Sequence, residues 1–180
     1  MKNVVEQLSR YKSVHFNKKN IQTHFIGIPL IIFSITILLS LINFTVDTDT
    51  ASLSFSAATI FFTAALVYYF ALHLRLALGM FFYIIPNLYL ASLITPLSGA
   101  IWIAVAIFII GWIIQFIGHY YEKAKPAFVD DLSQFLIGPF FLMAEVYFAL
   151  GFEQKLLADI TPIAREKRRA IEAQKRVDST

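Results

Sequence analysis

Four histidines, His15, His24, His73 and His119, are the residues best suited to chemistry in this chain, which contains no cysteine. Imidazole is the commonest metal ligand. Without thiolates, any metal must be held by nitrogen and oxygen, a donor set that suits iron, zinc, copper or nickel alike. Carboxylates and amides accompany the histidines. Gln115, His119 and Glu122 fall at i, i+4 and i+7, one stripe of a helix. Glu122 can then be a ligand, a partner that orients His119, or a surface carboxylate paired with Lys123 or Lys125. Asn20 and His24 are also four residues apart, whereas His15 and His24 are nine apart and lie on opposite faces of a straight helix. Both reach one metal only if the chain turns between them, and Asn17-Lys18-Lys19-Asn20 suits such a turn. Glu145 stands within an apolar segment, where an ionisable residue is a functional candidate. Phosphate-cradling glycine loops, dinucleotide fingerprints and nucleophile elbows are missing.

The elements that carry these residues are membrane helices. Of 180 residues 58% are hydrophobic, and mean hydropathy is +0.67. A soluble fold of this length leaves too much surface exposed to hide that apolar content. Spanning segments are expected at 24–43, 53–74, 76–95 and 100–118, each near the ~20 residues a span needs. Pro86 and Asn87 predict a kink in the third. A fifth apolar segment, 132–150, is interrupted by Gln134, Gly138-Pro139 and Glu145 and reads as a re-entrant or interfacial helix broken at Pro139. Residues 44–52 read as a loop, and Val4, Val5, Leu8 and Tyr11 suit a short helix on the membrane surface. The expected architecture is an all-α integral membrane bundle forming one domain: an N-terminal segment 1–23, a bundle 24–152 and a basic tail 153–180.

Loop charge orients the spans. The basic N-terminal segment, Arg75, Lys123 with Lys125, and the basic tail fall on one side, and the loop bearing Asp47 and Asp49 on the other. Both termini are therefore expected to be cytoplasmic, and all four histidines gather at the cytoplasmic boundary. Singly, each histidine is also explained as an amphipathic residue at a membrane interface.

Two blocks resemble the fungal 2-hydroxy fatty acid dioxygenases of phytosphingosine breakdown and their bacterial relatives. Tyr11 to Pro29 reads YKSVHFNKKNIQTHFIGIP, and Gly111 to Ala127 reads GWIIQFIGHYYEKAKPA, continuing through Asp130, Gln134, Gly138-Pro139 and Glu145 to Leu150-Gly151-Phe152. The resemblance implies an iron(II) enzyme that oxidises a long-chain 2-hydroxy fatty acid with dioxygen and releases its carboxyl carbon as carbon dioxide. It implies His15, His24 and His119 as iron ligands, with Asn20 and Glu122 in the catalytic set. His73 joins as a ligand candidate on sidedness alone. Arg75 and Lys123 are the candidate cations for a substrate carboxylate, besides anchoring the inner face. The acyl chain would lie among membrane lipid and apolar helices, in a bacterial inner membrane or the endoplasmic reticulum. The rival readings are a small transporter and a non-catalytic scaffold. The spans carry almost no ionisable residue at mid-depth, where transport needs one. The basic tail follows from topology and calls for no nucleic acid. Oligomeric state is not encoded in any of these patterns.

Overall fold

The computed structural model describes residues 3–48, 50–123, 125, 131 and 133–177. Asp49 and, in the second sequence block, Pro126, Ala127 and Asp130 lie outside the described residues. The order of elements is α1 (Val4–Lys12), α2 (Lys18–Ser40), β1 (Asn43–Asp47), β2 (Ser52–Ser56), α3 (Ala57–Leu72), α4 (Leu74–Ile94), α5 (Ala100–Glu122), α6 (Gln134–Ala149) and α7 (Gln154–Val177). The fold is an all-α membrane bundle, and among the described residues its one sheet is a two-stranded hairpin. It comprises two compact units, Met1–Phe25 with Gln115–Thr180, and Ile26–Ile114.

The second unit is apolar. α2, α4 and α5 are long and apolar enough to cross a membrane. α3 has 16 residues, about 24 Å at 1.5 Å per residue, against a hydrocarbon core about 30 Å thick. The segment expected to span from residue 53 is shorter because its first residues belong to the hairpin. Phe44 pairs with Phe55 and Val46 with Leu53 in an antiparallel register, correcting the expected loop at 44–52. The alternation of apolar and polar residues on both sides of 48–51 is a strand period. Ser56 then caps α3, accepting from the Thr59 N–H at 3.2 Å.

α3 and α4 form a tight helical hairpin joined at His73, whose extended backbone ends one helix and starts the next. Ala58 and Ala65 on α3 and Ala77 on α4 are buried, and small residues let neighbouring helices approach closely. Ile37, Ala91 and Ala104 are the buried centre against which Phe33, Leu38, Ile94 and Ile107 pack. Gly111 of α5 lies so close to α2 that a β-carbon there would meet the Gly27 carbonyl at 3.1 Å and the Ile31 amide nitrogen at 3.2 Å. Large apolar side chains point outward instead, Trp102 with 73% and Phe82 with 71% of their surface exposed, as lipid-facing residues do. Ser34 and Thr36 satisfy their hydroxyls on the Ile31 and Ile32 carbonyls at 2.7 Å, so neither presents a bare polar group to lipid. α4 runs on through Pro86, and the adjacent Asn87 donates to the Tyr83 hydroxyl at 3.3 Å.

The first unit is held by polar links around a small apolar core. Asn3 caps α1, accepting from the Glu6 N–H at 2.8 Å. The stripe that suggests a surface helix is partly turned inward, with Leu8 and Tyr11 buried and the Tyr11 ring 4.9 Å from that of Phe141. α1 is tied to the segment around α6 by three contacts: Gln134 donates to Gln7 at 2.8 Å, Arg10 pairs with Asp131 at 2.7 Å, and Lys12 pairs with Glu145 at 2.7 Å. Gln134 and Glu145, three turns apart on one face, thus share a partner helix. α6 is not broken at Pro139 but passes through it. The bond that Pro139 cannot donate would fall on the Phe135 carbonyl in the first turn of α6, so most of the helix keeps its bonds. Gly151, at φ 83°, ends α6 while the Phe152 N–H bonds the Tyr147 carbonyl at 2.8 Å. The basic tail forms α7, with Leu156, Ile160 and Ala164 buried and Ser9 donating to the Ile160 carbonyl at 3.3 Å.

Candidate metal centre

His15, His24 and His119 come together in the first unit. One ring nitrogen from each lies within 4.8 Å of the others. The chain turns through residues 13–17, around His15 and just ahead of the expected position, before α2 carries His24. There the Ser13 hydroxyl donates to the Arg10 carbonyl at 2.7 Å, and Asn17 accepts the Lys19 N–H at 2.9 Å to open α2. His119 arrives from the last turn of α5. Ring centroids are 4.6 Å apart for His15 and His24, 4.9 Å for His24 and His119, and 5.3 Å for His15 and His119, with steeply inclined planes. Close approach of α2 to α5 here depends on Gly118, where a β-carbon would come within 2.5 Å of Asn20 Oδ1 and 3.3 Å of His24 Nδ1.

Hydrogen bonds fix two of the tautomers. His15 Nδ1 is 2.6 Å from the Tyr11 carbonyl and His24 Nδ1 is 2.8 Å from the Asn20 carbonyl. A carbonyl only accepts, so both Nδ1 atoms carry hydrogen and both neutral rings turn an Nε2 lone pair inward. Those Nε2 atoms are 3.0 Å apart. Two facing lone pairs repel unless a cation lies between them or beside them. Burial, followed by the closeness of His24, holds His15 well below its usual value of 6.5, so the ring is neutral and ligand-ready. The Tyr11 ring stacks flat on His15 at 4.1 Å and locks its orientation. The residues present therefore fit a metal ion. Imidazoles whose second nitrogen is held by a carbonyl are the usual arrangement around one.

A polar cage surrounds the cluster. Glu122, with 3% of its surface exposed, accepts the Asn17 N–H at 2.8 Å, the Asn20 amide at 3.1 Å and Arg168 Nη1 at 2.7 Å. It is a buried anchor and not the surface carboxylate that pairing with Lys123 or Lys125 would make. Asn20 is fully buried, donating also to the Val14 carbonyl at 3.4 Å. Asn20 Oδ1, Gln115 Nε2 and His119 Nδ1 are buried without a hydrogen-bond partner. Such orphaned atoms cost about 1–3 kcal/mol each unless something binds there.

The other expected residues fall elsewhere. His73 belongs to the second unit, where its Nδ1 faces the Leu76 N–H at 3.5 Å at the start of α4. Arg75 is exposed in the first turn of α4, in the same unit. Lys123 follows Glu122 in a left-handed conformation, φ 54°, with its carbonyl bound by Lys175 Nζ at 2.6 Å. Glu145 is engaged by Lys12. The sequence reading missed Arg168, since no periodicity links a residue in a basic tail to one 46 positions earlier.

The model of the family described as 2-hydroxy-palmitic acid dioxygenase Mpo1-like matches residues 1–150. The chain belongs to this family. The Mpo1-like chain is 33% identical over 174 residues, 94% of each protein, to the 2-hydroxy-palmitic acid dioxygenase MPO1 of Saccharomyces cerevisiae. No solved structure matches it. The matched region contains His15, His24, His119, Asn20 and Glu122, while α7 lies wholly beyond it.

Proposed function

We propose that the protein is an iron(II)-dependent dioxygenase that converts a long-chain 2-hydroxy fatty acid to the fatty acid one carbon shorter. The observation that carries this reading is the pair of inward-facing Nε2 atoms 3.0 Å apart, in a chain of the Mpo1-like family. The reaction balances on its own substrates. A 2-hydroxy acid and one dioxygen give the shorter acid, carbon dioxide and water. The substrate loses four electrons and dioxygen gains four, so no external reductant is needed.

His15, His24 and His119 would hold the iron. Bound there, the iron supplies Lewis acidity and a template for the 2-hydroxy carboxylate and dioxygen. The protein's part is orientation. The Tyr11 and Asn20 carbonyls hold the imidazoles, and Glu122 holds Asn20. Gln115, with its amide nitrogen buried and unpartnered, is a donor for a substrate oxygen. Lys123, next to Glu122, is the candidate cation for the approaching carboxylate, whereas Arg75 belongs to the other unit. The acyl chain belongs in lipid, which accounts for an enzyme with so many outward apolar side chains. Loop charge supports a site on the cytoplasmic side, with both termini there.

The test is metal analysis of protein purified in detergent and reconstituted anaerobically with iron(II), wild type beside His24→Ala and His119→Ala. Stoichiometric iron in the wild type, lost in both variants, is expected, together with oxygen uptake and carbon dioxide release on 2-hydroxypalmitate. A folded wild type that holds no transition metal refutes the proposal.

A further inference from the structure

α7 supplies a contact to the metal centre from outside the region that the family model matches. We infer that Arg168 is a positioning residue for the three-histidine site, acting through Glu122. This rests on the proposed metal-binding function.

The two carboxylate oxygens of Glu122 face different helices. Oε1 accepts Arg168 Nη1 at 2.7 Å, while Oε2 accepts the Asn17 N–H at 2.8 Å and the Asn20 amide at 3.1 Å. Asn20 in turn gives its carbonyl to His24 Nδ1 at 2.8 Å. Glu122 also sits one turn beyond His119 in α5. The carboxylate thus joins the helix end that carries one ligand to the helix start that carries another. Arg168 fixes it from a third side. Its Nη2 reaches the Glu122 carbonyl at 3.2 Å, and its Nε pairs with Glu172 at 2.6 Å, so the planar fork is held on both edges. Lys175 adds a bond to the next carbonyl, Lys123, at 2.6 Å. Both cations complement the C-terminal end of α5.

Without the Arg168 fork, Oε1 loses its 2.7 Å partner and the carboxylate is held from one side only. A carboxylate free to turn alters what Oε2 does for Asn17 and Asn20, and His24 moves with them. Arg165, exposed on the same helix, carries equal charge and provides the control.

The experiment is cobalt(II) titration of the full chain in detergent, reading affinity, the visible ligand-field spectrum and the thermal midpoint. Arg168→Gln is expected to weaken cobalt at least tenfold and to alter the spectrum. Arg168→Lys, which keeps the charge and loses the fork, is expected to recover part of the affinity, and Arg165→Gln to match wild type. If Arg168→Gln does not fold, the neutral pair Arg168→Gln/Glu122→Gln, which leaves no unpaired ion, is expected to show the same weakening and spectral change. Wild-type affinity and spectrum in the foldable variant refute the inference, even if its midpoint falls, because α7 would then serve packing alone. That result leaves the metal site standing. A wild type that binds no cobalt refutes both the inference and the proposed function.

Discussion

Replacing Gly118 by alanine puts a methyl group where α5 meets the start of α2. The new carbon would overlap Thr23 Oγ1, lie 2.5 Å from Asn20 Oδ1 and lie 3.3 Å from His24 Nδ1. Thr23 can yield by rotating, at the cost of its 2.7 Å bond to the Asn20 carbonyl. Asn20 cannot, because its amide is held by Glu122 and the Val14 carbonyl; releasing a bond to a buried carboxylate costs about 1.5–3 kcal/mol. The alternative is to push α2 away from α5, an overpacking penalty of about 1–3 kcal/mol. Either route moves His24 relative to His119. Metal–ligand distances tolerate only about 0.2 Å, so Gly118→Ala is expected to weaken iron(II) or cobalt(II) binding at least tenfold, about 1.4 kcal/mol. Gly111→Ala is the comparison, seven residues earlier on the same helix. Its β-carbon would meet Ile31 Cγ1 at 2.8 Å and backbone atoms of α2 at 3.1 and 3.2 Å, and no ligand. It is expected to lower the thermal midpoint while changing metal affinity less than threefold. Metal titration and thermal denaturation of both variants in one detergent decide the matter. Equal loss of metal in both, or none in Gly118→Ala, refutes the argument that Gly118 sets the ligand spacing.

His15→Ala is expected to abolish stoichiometric metal and His73→Ala to retain it, read by elemental analysis; metal loss in the second would bring His73 into the site. The Lys12–Glu145 pair, with side chains 11% and 19% exposed, is expected to stabilise the contact of α1 with α6. Glu145→Gln alone should cost about 1–3 kcal/mol by leaving Lys12 poorly matched, and Lys12→Met/Glu145→Gln should cost less than the two singles summed, as measured by denaturant unfolding. Because burial holds His15 below its unfolded value of 6.5, the unfolded chain binds the proton more readily than the folded one. His15 should therefore contribute its stability to metal-free protein fully above about pH 6.5, and lose it as pH falls below that. The acid slope of the thermal midpoint should flatten in His15→Phe, and an unchanged slope counts against the neutral, buried ring.

The long apolar helices were legible because lipid imposes a length and a composition, so α2, α4 and α5 appear near the expected limits. The site was legible where its residues share a helix: Gln115, Gly118, His119 and Glu122 lie within two turns of α5, and Asn20 with His24 within one of α2. What joins α5 to α2 was not, because contact across helices leaves no period. Glu122 reads from spacing as a ligand, a partner of His119 or a surface residue; its burial and its bonds to Asn17 and Arg168 set the surface reading aside. The tail was read as charge alone, although Leu156, Ile160 and Ala164, four residues apart, already mark an inward face. Phe44, Val46, Leu53 and Phe55 carried a strand period, overlooked because the surrounding hydrophobicity favours one long span.

Charge accounting shows why this cage suits an anionic substrate on the proposed reading. The three imidazoles would be neutral ligands, and two of them lean on neutral carbonyls instead of carboxylates. Among the described residues Glu122 is the one buried acid, and Arg168 pairs with it at 2.7 Å. A divalent ion held by this set would keep nearly its whole charge, in surroundings where burial strengthens every electrostatic term. Such a site is incomplete until an anion with oxygen donors enters, and a 2-hydroxy carboxylate offers one charge and two oxygens. A carboxylate ligand in place of His119 would have offset half of that charge and weakened the attraction. On that reading the neutral histidine set and the Arg168 pair would serve one end: the protein would leave the charge of the metal uncompensated so that the substrate provides the missing anion.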